Sequence, residues 1–329
     1  MAEPGASAER LYLAGRDLID APNRSRCKRA IGIFRQVVDI DPRYARVWSG
    51  QAFAWRALTM NGDMDPRQAF QLPRSAVQHA FALDPELPEA HAAHGFNLFW
   101  DAWDWHGAEL VLQHAISLDP HVPDGHFAFA HLLSNLGRFD EALAQVRQAC
   151  ELDPLSSLIN VLEGSFLAAA GRREEASARI AQALEMAPEF WVAMLAQAGM
   201  AMARGDPAAA IDILEHAAQL SGRSSFVLAV LAPALIATGN RPGAEQLRAE
   251  LRALAEATYV PATSRAAISN ALGDHDEALG LLEQACAQRD VRMIFLKTDA
   301  RWNNLRTQPR FKALMERMRF AAGPAHGIL

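Results

Sequence analysis

Eight of the eleven histidines fall between His79 and His131, a concentration that raises metal coordination as the first chemistry to consider. His91 and His94 have i, i+3 spacing and could share a helix face, but His126 and His131 are five apart and point to different faces. No cysteine stands near them and no HExxH occurs, so the donor set is incomplete and no metal is expected. His91 and His126 occupy equivalent positions of consecutive sequence units, which suits packing. Trp100, Trp103 and Trp105 alternate with Asp101 and Asp104 and could offer an aromatic binding platform. Sealing an inter-helix turn onto a core is the favoured role for them. The basic run Arg24, Arg26, Lys28 and Arg29 opens a helix without interleaved aromatics and reads as a solvated face. Paired carboxylates such as Glu174-Glu175 recur where helices begin and complement the dipole there. No nucleophile elbow, phosphate loop or acid/base pair in a recognisable context is present, so no enzyme, no catalytic residue and no cofactor is expected.

The composition is that of an all-helical chain. Half of the 329 residues are hydrophobic, and aromatic and β-branched residues are sparse. A net charge of -6 and a pI near 6.0 give no general attraction to nucleic acid or anionic lipid. The N-terminal MAEPGASAER lacks the basic and apolar regions of a secretory signal. The longest apolar stretch, Phe226 to Ala237, is interrupted by Pro233 and is well short of the ~18 residues a membrane helix needs. Cys27, Cys150 and Cys286 lie far apart and form no disulfide framework, which suits a reducing cytoplasm.

The elements that must position these residues are announced by a ladder. Gly137, Gly171, Gly205, Gly239 and Gly273 stand at 34-residue intervals, and Ala108, Ala142, Ala176, Ala210, Ala244 and Ala278 keep the same step. Small residues at fixed phase with this period mark a stacked helix-turn-helix array, in which each unit packs on its neighbours. In the unit from Pro123 to Ser156, Phe129, Ala130 and Leu133 stripe a first helix and Ala142, Val146, Ala149 and Leu152 a second. Gly137 supplies the positive φ that ends the first helix, and Pro154 closes the second. Closing prolines at 42, 85, 120 and 154 place about nine extra residues in the second unit, in the Asn61 to Pro66 region. Past Leu251 the closing turn loses its Leu-Asp-Pro while the glycine and alanine phase persists.

This pattern resembles the tetratricopeptide repeat, whose eighth position is small in Ala52, Gly95, Ala130, Gly164, Ala198, Ala232 and Ala266. The expected fold is all-α, a right-handed α-solenoid of about eight repeats over residues 8–320 with a C-terminal capping helix, flanked by flexible tails at 1–7 and 321–329. YLAGR at Tyr12, AWDWHGAE at Ala102 and FLKTDARWNNLRTQPRFKAL at Phe295 are similar to the repeat region that follows the effector domain of bacterial winged-helix regulators, adenylate cyclases and Ser/Thr kinases. This sequence starts at the repeats, so the resemblance implies sensing or adaptor behaviour without the effector's activity.

In the family the first helix of each repeat lines a concave groove. Carried over by position, the resemblance implies a binding groove of Arg46, Phe53, Arg56, Phe96, Phe99, Trp100, Phe127, His131, Leu158, Val161, Val192, Leu195 and Phe226. That lining is apolar and unlike the lysine-rich and asparagine-rich clamp that chaperone-type members use for a carboxylate. The expectation is a non-catalytic, cytoplasmic scaffold or adaptor for a protein or peptide, in bacterial signalling or regulation. The alternative is a sensor whose groove holds a small apolar ligand or signal peptide.

Overall fold

The computed structural model describes residues 4–61 and 64–320. Eight antiparallel helix pairs follow one another along the chain, each packed on the next, as an α-solenoid. The pairs are α1 (Pro4–Asp20) with α2 (Arg24–Ile40), α3 (Ala45–Asn61) with α5 (Gln71–Leu83), α6 (Pro88–Asn97) with α7 (Trp105–Leu118), and α8 (Pro123–Asn135) with α9 (Phe139–Leu152). Then come α10 (Ser157–Ala169) with α11 (Arg173–Met186), α12 (Trp191–Ala203) with α13 (Pro207–Ser221), α14 (Ser225–Ala237) with α15 (Arg241–Ala257), and α16 (Ala262–Ala271) with α17 (His275–Gln288). The extra residues of the second unit lengthen α3 and add the short α4 (Pro66–Ala69), and positions 62 and 63 lie outside the described residues. The α1 helix takes in residues 4–7, expected in a tail, because its N-terminal turn precedes the buried Ala8 and Tyr12. The remaining tail positions, 1–3 and 321–329, fall outside the described residues.

The ladder has a direct structural meaning. All five of its glycines have positive φ, from 78° to 86°, where a Cβ would be strained. All six of its alanines are fully buried between the two helices of their own unit and the next. At Gly95 an added Cβ would lie 2.5 Å from Leu112 Cδ2, and at Gly164 it would lie 2.7 Å from Ile180 Cγ1, so helix approach there depends on the missing side chain. One step before Gly137 the ladder falls on Trp103, which takes the same left-handed conformation at φ 55° without being glycine. A π-helical turn, Leu98–Ala102, leads into it, and the buried indole lies under the Arg289 guanidinium at 3.9 Å. Pro233, expected to interrupt the apolar stretch, sits inside α14. No helix among the described residues is long and apolar enough to cross a membrane.

Both ends of the chain turn back over the solenoid's inner face. After α17 the chain forms two 3-10 turns, Val291–Phe295 and Ala300–Trp302, and then α18 (Pro309–Arg317). The α18 helix packs on α17, where Arg310 pairs with Glu283 at 2.8 Å and also with Asp276. The strap before α18 crosses to the early repeats: Arg292 bonds to the Met60 carbonyl and Phe295 rests on His131. Beyond α18, Met318 accepts a hydrogen bond from Trp105 Nε1 at 2.7 Å, and Phe320 stacks on the same indole. The eighth unit thus closes onto the third.

Candidate functional site

Among the described residues the inner helices, α1 and the strap after α17 line a half-open chamber of about 1130 Å³. It contains nine of the thirteen residues assigned to the groove: Phe53, Arg56, Phe96, Trp100, Phe127, His131, Leu158, Val192 and Phe226. The other four lie elsewhere. Arg46 is drawn away by Glu89 at 2.8 Å and lies over the Tyr12 ring, since both partners come from neighbouring helices α1 and α6. Phe99 is fully buried between Phe96, Trp105 and His131. Val161 packs with Ala183, Phe190 and Ala193 in a separate small core, and Leu195 faces the main core.

Seven rings form the inner end. Phe96 meets Phe53, Trp100 and Phe127 with ring centroids 5.6 to 5.9 Å apart, and His131 is surrounded by Phe96, Phe99, Trp100, Phe127 and Phe295. The residues Phe53, Phe96, Phe127 and Phe226 come from four different first helices, which the superhelical stack brings to one surface. Among the described residues only Asn135 Nδ2, 3.2 Å away, engages the His131 ring as a hydrogen-bond partner in this apolar setting.

Arg56 stands in the same cluster. Its guanidinium lies over Phe96 at 4.1 Å, Phe53 at 4.9 Å and Trp100 at 5.7 Å, and the residue is 5% exposed. Nη2 donates to the Ala93 carbonyl at 3.1 Å and reaches Asn97 Oδ1 at 3.5 Å, whereas the buried Nη1 has no hydrogen-bond partner among the described residues. No carboxylate among the described residues pairs with it. Burial pulls its pKa down to about 9, against the opposing pull of the Asp124 charge. Arg16, on α1, has taken that aspartate in a two-pronged pair of 3.1 and 2.9 Å.

Burial also lowers the His131 pKa to about 3, helped by the charge of Arg56, so the ring is neutral at pH 7. The unfolded chain therefore takes up a proton near pH 6.5 that the folded chain refuses until near pH 3. Stability is complete above pH 6.5 and falls as the pH drops through that window, by up to about 1.4 kcal/mol per unit. Urea unfolding at pH 7.5 and pH 5 should show this decline in the wild type and a flatter one in His131→Phe; equal slopes in both would exclude His131 as the source.

Sequence reasoning missed the lining supplied by the chain's two ends. The C-terminal end of α1 lies between α8 and α10, whose direct contact is sparse. There Asp20 accepts from the Ser156 hydroxyl and from Ser157 N at 2.8 Å, capping α10 from outside, while Ser156 Oγ accepts from Ile159 N. Arg16 and Asp20 line the chamber on that side, Arg292 and Phe295 on the other. Signals for Arg16 and Phe295 lay in the YLAGR and FLKTDARWNN segments, whereas Asp20 and Arg292 lie just outside them.

The histidines and tryptophans serve the architecture. His91 Nε2 and His126 Nε2 each meet the carbonyl of the closing-turn proline six residues earlier, Pro85 at 2.9 Å and Pro120 at 3.1 Å. Asn160 Nδ2 does the same for Pro154 at 3.2 Å, so the position latches each repeat to the preceding turn. Trp100, Trp103 and Trp105 are all buried. Among the described residues no group of three or more histidine, cysteine or acidic side chains is placed to hold a metal.

Residues 123–154 match a tetratricopeptide repeat family model, and residues 260–284 match a second one. The chain thus contains tetratricopeptide repeats, at the fourth and eighth helix pairs. No curated protein matches the sequence. Among solved structures, it is similar to a chain of the APC/C hetero-tetramer Cut9-Hcn1, with a TM-score of 0.61 and 16% identity over 90% of this chain and 53% of that one. This chain therefore spans about half the length of that relative, and the likeness is one of fold. Pseudomonas aeruginosa PilF gives a TM-score of 0.48 at 16% identity, covering 65% of this chain and 93% of its own. YrrB, a tetratricopeptide protein with an unusual peptide-binding site, gives 0.34 at 21% identity, covering 53% and 84%.

Proposed function

We propose that this protein is a non-catalytic repeat scaffold or adaptor that receives a segment of a partner protein in its inner chamber. The observation that carries this reading is the convergence of first-helix side chains from successive repeats on one apolar cavity of about 1130 Å³. A peptide there gains the burial of its own apolar side chains against Phe127, Val192 and Phe226, the usual driving force for groove recognition. Tetratricopeptide folds commonly serve as protein-interaction scaffolds, which supports the same class. A cytoplasmic place in bacterial signalling or regulation rests on the resemblance of the YLAGR, AWDWHGAE and FLKTDARWNN segments, with three buried, unpaired cysteines in keeping.

A pull-down with the wild type and with Phe127→Ala and Phe226→Ala checks this. Each variant should lose the same partner, with binding reduced about tenfold or more, while keeping its helical spectrum. Undiminished recovery by both would remove the chamber as the partner site. Leu195→Ala is unsuitable here, because Leu195 is buried in the core and its loss would act through stability.

A second reading, a sensor filled by a small ligand, is favoured by the narrowing of the chamber by α1 and the strap, which supply Arg16, Asp20, Arg292 and Phe295 to its wall. A space of this size, walled by rings with a few polar groups, suits a small molecule as well as a short peptide.

A further inference from the structure

We propose that the chamber's occupant is a small amphipathic carboxylic acid, its carboxylate received by Arg56 and its apolar body lying along Phe127 and Phe226. The inference rests on the chamber being a binding site, and goes beyond that by naming the ligand's chemistry.

A guanidinium that is 5% exposed, faced by three aromatic rings and joined to no carboxylate among the described residues, is a charge taken out of water without a counter-ion there. Elsewhere the chain shows how it handles a buried ion. Glu163, also nearly fully buried, is met by Arg179 at 2.6 Å and Arg147 at 3.4 Å, and Asp124 by Arg16 at 2.9 Å. Arg56, at the wall of the chamber, has no such partner among the described residues. The acidic group that acts on it, Asp124, is committed to Arg16, so no carboxylate among the described residues is left to neutralise it.

Nη1 is the position left for such an anion to pair with. It is buried and lacks a hydrogen-bond partner, while Nη2 is held on the Ala93 carbonyl and fixes the plane of the group. A carboxylate reaching Nη1 displaces part of the ring cover and forms a charge-assisted hydrogen bond in a dry setting, where it is strongest. His131 beside it is neutral and adds no competing charge.

Isothermal titration with three ten-carbon probes tests this: sodium decanoate, 1-decanol and decylammonium. The wild type should bind decanoate at least about tenfold more tightly than decanol, and decylammonium weakest. Arg56→Met should lose the preference while keeping decanol binding, Arg56→Lys should keep part of it, and Phe127→Ala should weaken decanoate and decanol alike. Equal affinity for decanoate and decanol in the wild type, or a preference that survives Arg56→Met, overturns the proposal. Absence of binding by all three probes overturns it too, whereas the peptide reading stands or falls separately on the pull-down. The comparison of probes on the wild type holds even if Arg56→Met fails to fold.

Discussion

Replacing Trp105 by alanine should lower the unfolding free energy by about 3–5 kcal/mol, the range for deleting a large buried aromatic. The residue is 4% exposed and does three things at once. Its indole N–H donates to the Met318 carbonyl at 2.7 Å, its ring stacks on Phe320 with centroids 4.6 Å apart, and its other contact is Phe99 at 6.1 Å. Two of these link the third repeat to the end of the chain, 213 residues later. Its loss therefore cuts the contact that closes the solenoid as well as leaving a cavity. Trp105→Phe keeps most of the apolar contact and loses the hydrogen bond, so it should cost about 1–3 kcal/mol. Urea unfolding and limited proteolysis of the 291–320 region measure both consequences. A loss below about 1 kcal/mol for the alanine variant, with the segment still protected, would show that closure is not anchored here.

Asp290→Ala should cost about as much, roughly 3–5 kcal/mol, by a different route. Asp290 is fully buried where α17 gives way to the strap, and its carboxylate accepts from Thr263 N at 3.0 Å, Thr263 Oγ1 at 2.8 Å and Arg292 N at 3.0 Å. Burial pushes its carboxyl above the usual range, and these three donors oppose that by favouring the charged form. Alanine leaves the donors at the start of α16 without an acceptor in a place water does not reach. The same carboxylate fixes the direction in which Arg292 and Phe295 enter the chamber, so the variant should also loosen that wall. Hydrogen exchange at Thr263 and Arg292 would report it; unchanged protection at both amides would remove the proposed role.

The repeat architecture was legible because its determinants are local. A glycine that must take φ near +80°, an alanine squeezed between two helices and a proline that ends a unit each act within one repeat or between neighbours, so spacing alone reveals them. Trp103 shows the limit. It occupies a glycine's conformation because Arg289, 186 positions away, and the surrounding core hold it there, and no local pattern signals that.

The first-helix residues of the chamber could be assigned by phase, and Phe53, Phe127 and Phe226 are on its wall. Phase could not separate a side chain facing the chamber from one turned into the core. Val161 and Leu195 have the same nominal position class and are both buried, because neighbouring helices rotate and a few degrees per repeat decide the facing.

By itself, then, the amino-acid order determined a stack of eight helix pairs and the side on which an apolar lining would lie. Only the tertiary structure decided that the stack turns far enough for Trp105 to meet Met318, that α1 reaches Ser156, and that Arg56 has no acid beside it among the described residues. The physical reason is range: repeat phase follows from contacts between neighbours, whereas closure sums small rotations over all the repeats and pairs residues more than a hundred positions apart.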